Sequence, residues 1–289
     1  MAIIINGKKI ARAITKKLTN SIKDSRAEPG LAAILIGENE ASKIYINEKR
    51  KTAKKIGIAF RLFAFPDDAS EELILQRIQI LNQEKNIHGI IVQFPIPRSF
   101  SADKIIDAIS PTKDADGFHP KNIAKFLRLR SLENVLEKRI LVPVTPVAIM
   151  EIINYVKLHN PYPDSLKKIV LVGKCSVFIA PLIRYFELNG NRAFAVISPH
   201  EPKLWEKTRE ADILISAVGR PSLISEKMAR NGAVVIDVGT SRVRGRIVGD
   251  VDFENVRTKA SFITPPTGGV GPVTVAILLR NVVYAAMQL

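Results

Sequence analysis

The sequence predicts an α/β protein of two domains. Its 289 residues exceed what one small core organises. Apolar strand-like runs alternate with segments of helical period along most of the chain. Between residues 110 and 145 the alternation gives way to an irregular stretch, which marks the domain boundary. Alternating strands and helices predict mainly parallel sheets covered on both faces. Hydrophobic residues make up 46% and charged residues 25%, a globular composition rather than a disordered or membrane one.

Each element follows from local pattern. Residues 8–24 place Ile10, Ile14, Leu18 and Ile22 four apart, a helical stripe. Residues 31–37 form a short apolar run ending in glycine, a buried strand, and 41–56 are helical in period up to Gly57. A strand at 58–64, a helix at 70–84 carrying Leu73, Leu75, Ile78 and Leu81, and a strand at 88–93 halted by Pro95 and Pro97 complete the first series. The second series comprises a helix at 147–158, a buried strand at 168–173, a helix at 180–189, and strands at 192–197, 212–217 and 233–238. Its pattern is that of a nucleotide-binding sheet. An apolar helix over 273–288 closes the chain.

Composition excludes several classes. No run of about 18 apolar residues predicts a membrane helix. The opening Met1-Ala2-Ile3-Ile4-Ile5 puts its apolar residues before its charges, the reverse of a secretory signal. One cysteine, Cys175, allows neither an internal disulfide nor a cysteine-based zinc cluster, so a cytoplasmic setting and no metal are expected. The net charge of +15 favours anionic partners. It is concentrated in part between Lys43 and Lys55, where a solvated helix face accounts for most of it. Aromatic residues are only 6%, with no stacking platform for bases, so nucleic acid is not the expected partner.

Four segments carry candidate chemistry. Tyr45 and Lys49 lie four apart on one helical face. A lysine there can move protons if burial lowers its pKa, although surface packing has the same spacing. Gln93 stands where the strand 88–93 leaves the core, the edge at which open α/β sheets bind ligands. In Lys113-Asp114-Ala115-Asp116-Gly117-Phe118-His119-Pro120, two carboxylates before a glycine read as a turn. Asp116 there can also accept paired hydrogen bonds from a heterocycle's amide and amino edge, and His119 is either a base or structural. In Thr267-Gly268-Gly269-Val270-Gly271-Pro272, three glycines in four residues open a helix and leave backbone amides free to approach a ligand.

Taken in order, the blocks YINEKRKTAKKIGI, GIIVQFPIP, KDADGFHPKN, AVVIDVG, VGDVDF and TPPTGGVGPVTVAILLRN resemble the bifunctional methylenetetrahydrofolate dehydrogenase/methenyltetrahydrofolate cyclohydrolases, often called FolD. The likeness spans nearly the whole chain. It implies oxidation of 5,10-methylenetetrahydrofolate with NADP, then hydrolysis of the 5,10-methenyl product to 10-formyltetrahydrofolate. It implies a folate domain over 1–142 joined by a returning helix at 275–289, a Rossmann-like NADP domain over 143–274, and a cleft between them. By the same resemblance Lys49 is the catalytic lysine, Tyr45 stacks on the folate, Gln93 positions Lys49, and Asp116 holds the pterin. Gly268, Gly269, Val270 and Gly271 line the substrate. Gly173, Lys174, Cys175, Ser198, Thr240 and Thr274 meet the cofactor. Homodimers are usual in the family. Short-chain dehydrogenases share the Tyr–Lys spacing, but there the pair follows the nucleotide-binding strands and here it precedes them.

The chain departs from the family at the pyrophosphate turn. Lys174 replaces an arginine, Cys175 a serine, Phe178 a valine and Ile179 a glycine. Lys174 keeps charge without the bidentate fork, Cys175 is a poor donor, and a β-branched residue at 179 crowds the helix start. These changes predict weakened NADP binding, with a cyclohydrolase of weakened or lost NADP-dependent dehydrogenase activity as the alternative reading. A non-catalytic anion- or nucleic-acid-binding protein is the third.

Overall fold

The computed structural model of the chain describes residues 1–131, 139–160, 167–174, 176–190 and 193–288. It divides into two compact units. The first comprises Arg12–Val144 and Val275–Leu289, the second Met1–Ala11 and Thr145–Thr274.

Strand β1 (Ile3–Ile4) and helix α1 (Gly7–Ser25) open the chain. The assignment of residues 1–11 to the first domain is corrected here. Ile3 N–H donates to Ser261 O and Ile5 N–H to Ile263 O, both at 2.8 Å, which adds β1 to the sheet of the second unit. A two-residue strand shows no period, so patterning did not reveal it.

The first unit is built on a parallel sheet in the order β3-β2-β4, formed by β2 (Gly30–Ile36), β3 (Ala59–Phe65) and β4 (Gly89–Val92). Every residue of the central strand is buried. Strand alternation turns Ala32, Ile34 and Ile36 to one face, where they pack with Ile74, Ile78 and Leu81 of α3 (Glu71–Gln83) and Ile105 of α4 (Ala102–Ala108). Between β2 and β3 runs α2 (Glu40–Lys55), started by Asn39, whose side chain accepts the Ser42 N–H. It ends before Gly57, whose φ of 89° suits glycine at a helix terminus.

After α4 the chain lies along the open edge of β4. Ile90 N–H donates to Lys113 O at 2.7 Å, and Ala115 N–H to Ile90 O at 3.3 Å. The buried Lys113 donates its Nζ protons to Leu81 O and Glu84 O, satisfying carbonyls at the end of α3. Within the stretch expected to be irregular, α5 (Pro120–Leu127) is helical, with proline at its start and His119 as its cap.

The second unit begins with α6 (Val144–His159), β5 (Ile169–Gly173), α7 (Ser176–Leu188), β6 (Phe194–Ile197), α8 (Leu204–Thr208), β7 (Ile213–Ala217) and β8 (Val234–Asp237). Helix α7 starts four residues before the expected 180, with Pro181 inside it. A hairpin of β9 (Ser241–Val243) and β10 (Arg246–Val248) follows, then α9 (Phe253–Val256), β11 (Phe262–Ile263) and α10 (Val270–Ala286).

Its sheet runs β1-β11-β8-β7-β5-β6, with every pairing parallel. From β5 the chain moves to one side to make β6, then crosses back to the other to make β7. This reversal creates a switch point between β5 and β7, the Rossmann-like arrangement that leaves a crevice at the carboxyl ends of the strands. Among the described residues no helix is long and apolar enough to cross a membrane, and no group of His, Cys, Asp and Glu is placed to hold a metal ion.

Candidate active site

The first unit brings Lys49, Gln93 and Asp116 together from three separate segments. Lys49 Nζ donates to Gln93 Oε1 at 2.8 Å, and Gln93 Nε2 donates to Phe94 O at 2.6 Å. Gln93 is thereby held at both ends of its amide, where β4 leaves the core. Tyr45, half-buried, lies one helical turn before Lys49 on the same face of α2.

Asp116 is positioned by its neighbour Asp114. The Asp114 carboxylate accepts the N–H groups of Gly117, Phe118 and His119 at 3.0, 3.2 and 2.8 Å, and Asn122 Nδ2 at 2.9 Å. Asp114 therefore makes the turn, and among the described residues no protein group donates to the Asp116 carboxylate. The Asp116 backbone is pinned as well, its carbonyl accepting Val144 N–H at 3.1 Å.

Burial drives the electrostatics of this group. It pushes the Lys49 ammonium below the ordinary lysine value, an effect the nearby Asp116 carboxylate partly opposes. Burial also pushes Asp116 up to about 6, with Lys49 working against that rise and Asp114 adding to it. A buried lysine and carboxylate that shift one another's pKa can exchange roles in proton transfer. His119 is not part of this chemistry. Its ring Nδ1 accepts the Lys121 N–H at 3.1 Å, so it acts as a helix cap.

Sequence reasoning missed one supporting residue. Asn281, fully buried on α10, donates through Nδ2 to Ala115 O at 2.9 Å and Val142 O at 2.8 Å, and its Oδ1 accepts Val142 N–H at 3.3 Å. It holds the loop that carries Asp116. The available signal was an Arg280-Asn281 pair inside an otherwise apolar helix. Replacing Asn281 with leucine leaves two buried carbonyls without a donor. At about 1–3 kcal/mol each, the expected loss is about 2–6 kcal/mol of stability, measured by urea unfolding.

The glycine-rich loop belongs to the second unit. Gly268 adopts φ 83° and its carbonyl accepts Gly7 N–H at 2.9 Å. A Cβ on Gly7 would collide with Gly269 O, so the two glycine segments pack backbone to backbone. Val270 is the first residue of α10, and at Gly271 there is open space where a side chain would stand. Thr274 Oγ1 donates to Gly271 O at 2.7 Å.

The cofactor candidates gather mainly at the carboxyl ends of the second sheet. Gly173 ends β5 beside Ala217 of β7, at the switch point. Lys174 follows it and is exposed. Ser198, also exposed, follows β6, and its Oγ accepts His200 N–H at 3.2 Å. Thr240 is exposed after β8. Cys175 lies outside the described residues. Ile179 is half-buried in the first turn of α7. Bare backbone, one cation and exposed hydroxyls at a switch point make a donor set that fits a dinucleotide's phosphates and ribose.

Fold and site together define a two-unit α/β enzyme, with an acid–base centre on one unit and a dinucleotide-type sheet on the other. Comparison with known proteins makes this particular. Residues 5–116 match the family model "Tetrahydrofolate dehydrogenase/cyclohydrolase, catalytic domain", and residues 143–289 match its "NAD(P)-binding domain". Similar curated proteins include Bifunctional protein FolD of Hydrogenobaculum sp., 40% identical over 99% of both chains. That of Aquifex aeolicus is 41% identical over 97% of this chain and 94% of its own. Among solved structures, the bifunctional FolD enzyme of Campylobacter jejuni superposes with a TM-score of 0.87 at 34% identity, covering 100% of this chain and 99% of that one. The Trypanosoma brucei FolD, complexed with NADP cofactor and inhibitor, gives a TM-score of 0.87 at 32% identity, covering 99% and 98%. The chain belongs to the tetrahydrofolate dehydrogenase/cyclohydrolase family and is a bifunctional enzyme of that family with an NAD(P)-binding domain. The expectation of a weakened dehydrogenase draws no support from these comparisons.

Proposed function

We propose that the chain oxidises 5,10-methylenetetrahydrofolate with NADP and hydrolyses the 5,10-methenyl product to 10-formyltetrahydrofolate, with Lys49 as the proton-transfer residue. The Lys49–Gln93 hydrogen bond beside Asp116 carries this reading. Bound NADP supplies the hydride acceptor. The protein's part is to orient the folate and to move protons in the second step. Tyr45 offers its ring to the folate, and the Asp116 carboxylate accepts the amide and amino protons of the pterin.

In the hydrolysis, water attacks the methenyl carbon between N5 and N10 of the folate. Lys49, whose pKa burial lowers, takes the proton from that water. As the C–N5 bond breaks, the resulting ammonium returns a proton to N5, the hydroxyl on the one-carbon unit loses its remaining proton to solvent as its C=O forms, and that unit stays on N10 as a formyl group. Gln93 fixes the amine through its Oε1, leaving the nitrogen lone pair for the water.

On the nucleotide side, Gly173, Lys174, Ser198, Thr240 and Thr274 are the groups we assign to NADP, with Cys175 as a further candidate. Lys174 lies next to the switch point and has no bulky neighbour in Gly173. Lys174→Ala is expected to raise the KM for NADP about tenfold by loss of one charge-assisted phosphate contact, with methenyl hydrolysis unchanged. A spectrophotometric assay of both half-reactions, run with NADP and NAD side by side, tests the assignment. Hydrolysis without any nucleotide-dependent oxidation would restore the cyclohydrolase-only reading. A homodimer in the cytoplasm is the setting we propose, supported by the family resemblance and the single cysteine.

A further inference from the structure

Two sequence blocks of the second unit, Asp237-Val238-Gly239 and Gly249-Asp250-Val251, have no part in the chemistry above. In the structure they interlock. The Asp237 carboxylate accepts the N–H groups of Asp250 and Val251 at 3.1 and 2.9 Å, and of Gly239 at 3.1 Å. A Cβ on Gly249 would collide with the Asp237 carboxylate, and one on Gly239 with the Asp250 carboxylate. Each aspartate thus packs against the glycine beside the other. The pair closes the base of the β9–β10 hairpin.

Asp250, fully buried, then reaches the end of β7. Its Oδ2 accepts Ser216 Oγ–H at 2.9 Å and Val218 N–H at 2.7 Å, and its Oδ1 accepts Arg220 N–H at 2.8 Å. The backbone continues the seam, with Ser222 N–H donating to Gly249 O at 3.1 Å and Ile224 N–H to Asp250 O at 2.9 Å. Between the two pinned amides, Gly219 adopts φ 76° with open space where a side chain would be. The turn 217–220 is therefore held in one conformation, with exposed backbone at Gly219. It leaves β7 at Ala217, the register partner of Gly173 across the switch point.

We propose that the Asp237–Asp250 pair is a positioning device for the dinucleotide site. Asp250 fixes the turn Ala217–Arg220 so that its backbone, with Gly173, forms the wall against which the cofactor's pyrophosphate lies. This rests on the NADP reading above. It also gives a physical account of how the site tolerates Lys174 and Ile179. Part of the phosphate surface comes from the β7 turn rather than from the head of α7. A carboxylate suits the task because it accepts three donors at once and can donate to none. An asparagine at 250 turns an NH2 group toward one of those N–H or O–H donors, which loosens the turn.

The test uses the full chain. NADP affinity is measured by calorimetry, methenyltetrahydrofolate hydrolysis is assayed without nucleotide, and thermal unfolding is followed for wild type, Asp250→Asn and Ser216→Ala. The expected result is an NADP Kd raised at least tenfold in Asp250→Asn and about threefold in Ser216→Ala, with hydrolysis within twofold of wild type in both. Unchanged NADP affinity in either variant, or parallel loss of affinity and hydrolysis, overturns the inference. If Asp250→Asn does not fold, the Ser216→Ala affinity decides it alone. Wild type that fails to bind NADP refutes the underlying cofactor reading instead.

Discussion

Replacing Lys49 with alanine is expected to lower methenyltetrahydrofolate hydrolysis about 10²–10⁴-fold, the usual worth of a positioned general acid–base group, while NADP affinity stays at the wild-type value. The reason is local. Lys49 is half-buried, its amine is fixed on Gln93 Oε1, and burial shifts its pKa downward, toward the proton-free form that a base needs. Lys49→Arg separates proton transfer from charge. The guanidinium keeps the cation and can still donate to Gln93, but it does not deprotonate in a protein. Its hydrolysis should be as poor as that of the alanine variant, checked by stopped-flow or steady-state absorbance of the methenyl chromophore. Arginine activity near wild type would mean that position 49 acts only as a charge. Gln93→Leu removes the anchor but not the amine and should cost less than either change at Lys49.

Much of this site was legible before any coordinates. The spacing of Tyr45 and Lys49, the polar Gln93 at a strand end and the carboxylates at 114 and 116 are each visible as local pattern. Their convergence depends on pairings between segments distant in sequence. Ile90 bonds to Lys113 and Ala115, and this lays the Asp116 loop beside the strand that ends at Gln93. Single-sequence periodicity carries no information on such pairings. The same limit explains β1, which is two residues long and takes its place only through the backbone of Ser261 and Ile263. Asn281 was hidden for a different reason. A polar pair in an apolar helix is visible, but the partners of Asn281, Ala115 and Val142, lie more than a hundred residues away. The aspartates at 237 and 250 stood in the sequence as family blocks without a role, because their partners are mainly backbone groups, of residues 250 and 251 for Asp237 and of 218 and 220 for Asp250, that no local pattern reveals.

Asp116→Asn is expected to weaken folate binding about 10²-fold or more, and to remove a pH dependence that wild type should show. Two hydrogen bonds from a pterin edge to a carboxylate are worth about 1.5–3 kcal/mol each, and an amide can accept only one of them while opposing the other with its own NH2. In the free protein burial holds the Asp116 carboxyl at about 6. Folate needs the carboxylate, so affinity should be full above about pH 6 and fall about tenfold per unit below it. The asparagine variant should be flat over the same range. Stability runs the other way. The folded pKa lies above the ordinary value of 3.8, so the folded chain holds a proton that the unfolded chain releases. Unliganded stability from this group is therefore greatest below about pH 4 and declines as pH rises to about 6. Asp116→Asn should make the unliganded protein more stable at neutral pH while destroying its affinity, the trade expected where a buried charge is kept for function. Lys49 links the two predictions. Its ammonium holds the Asp116 value down, so in Lys49→Ala the acidic limb of folate binding should move to higher pH. Calorimetric titration of a folate ligand between pH 5 and 8 reads this shift directly. An unmoved limb would show that the two groups are not coupled.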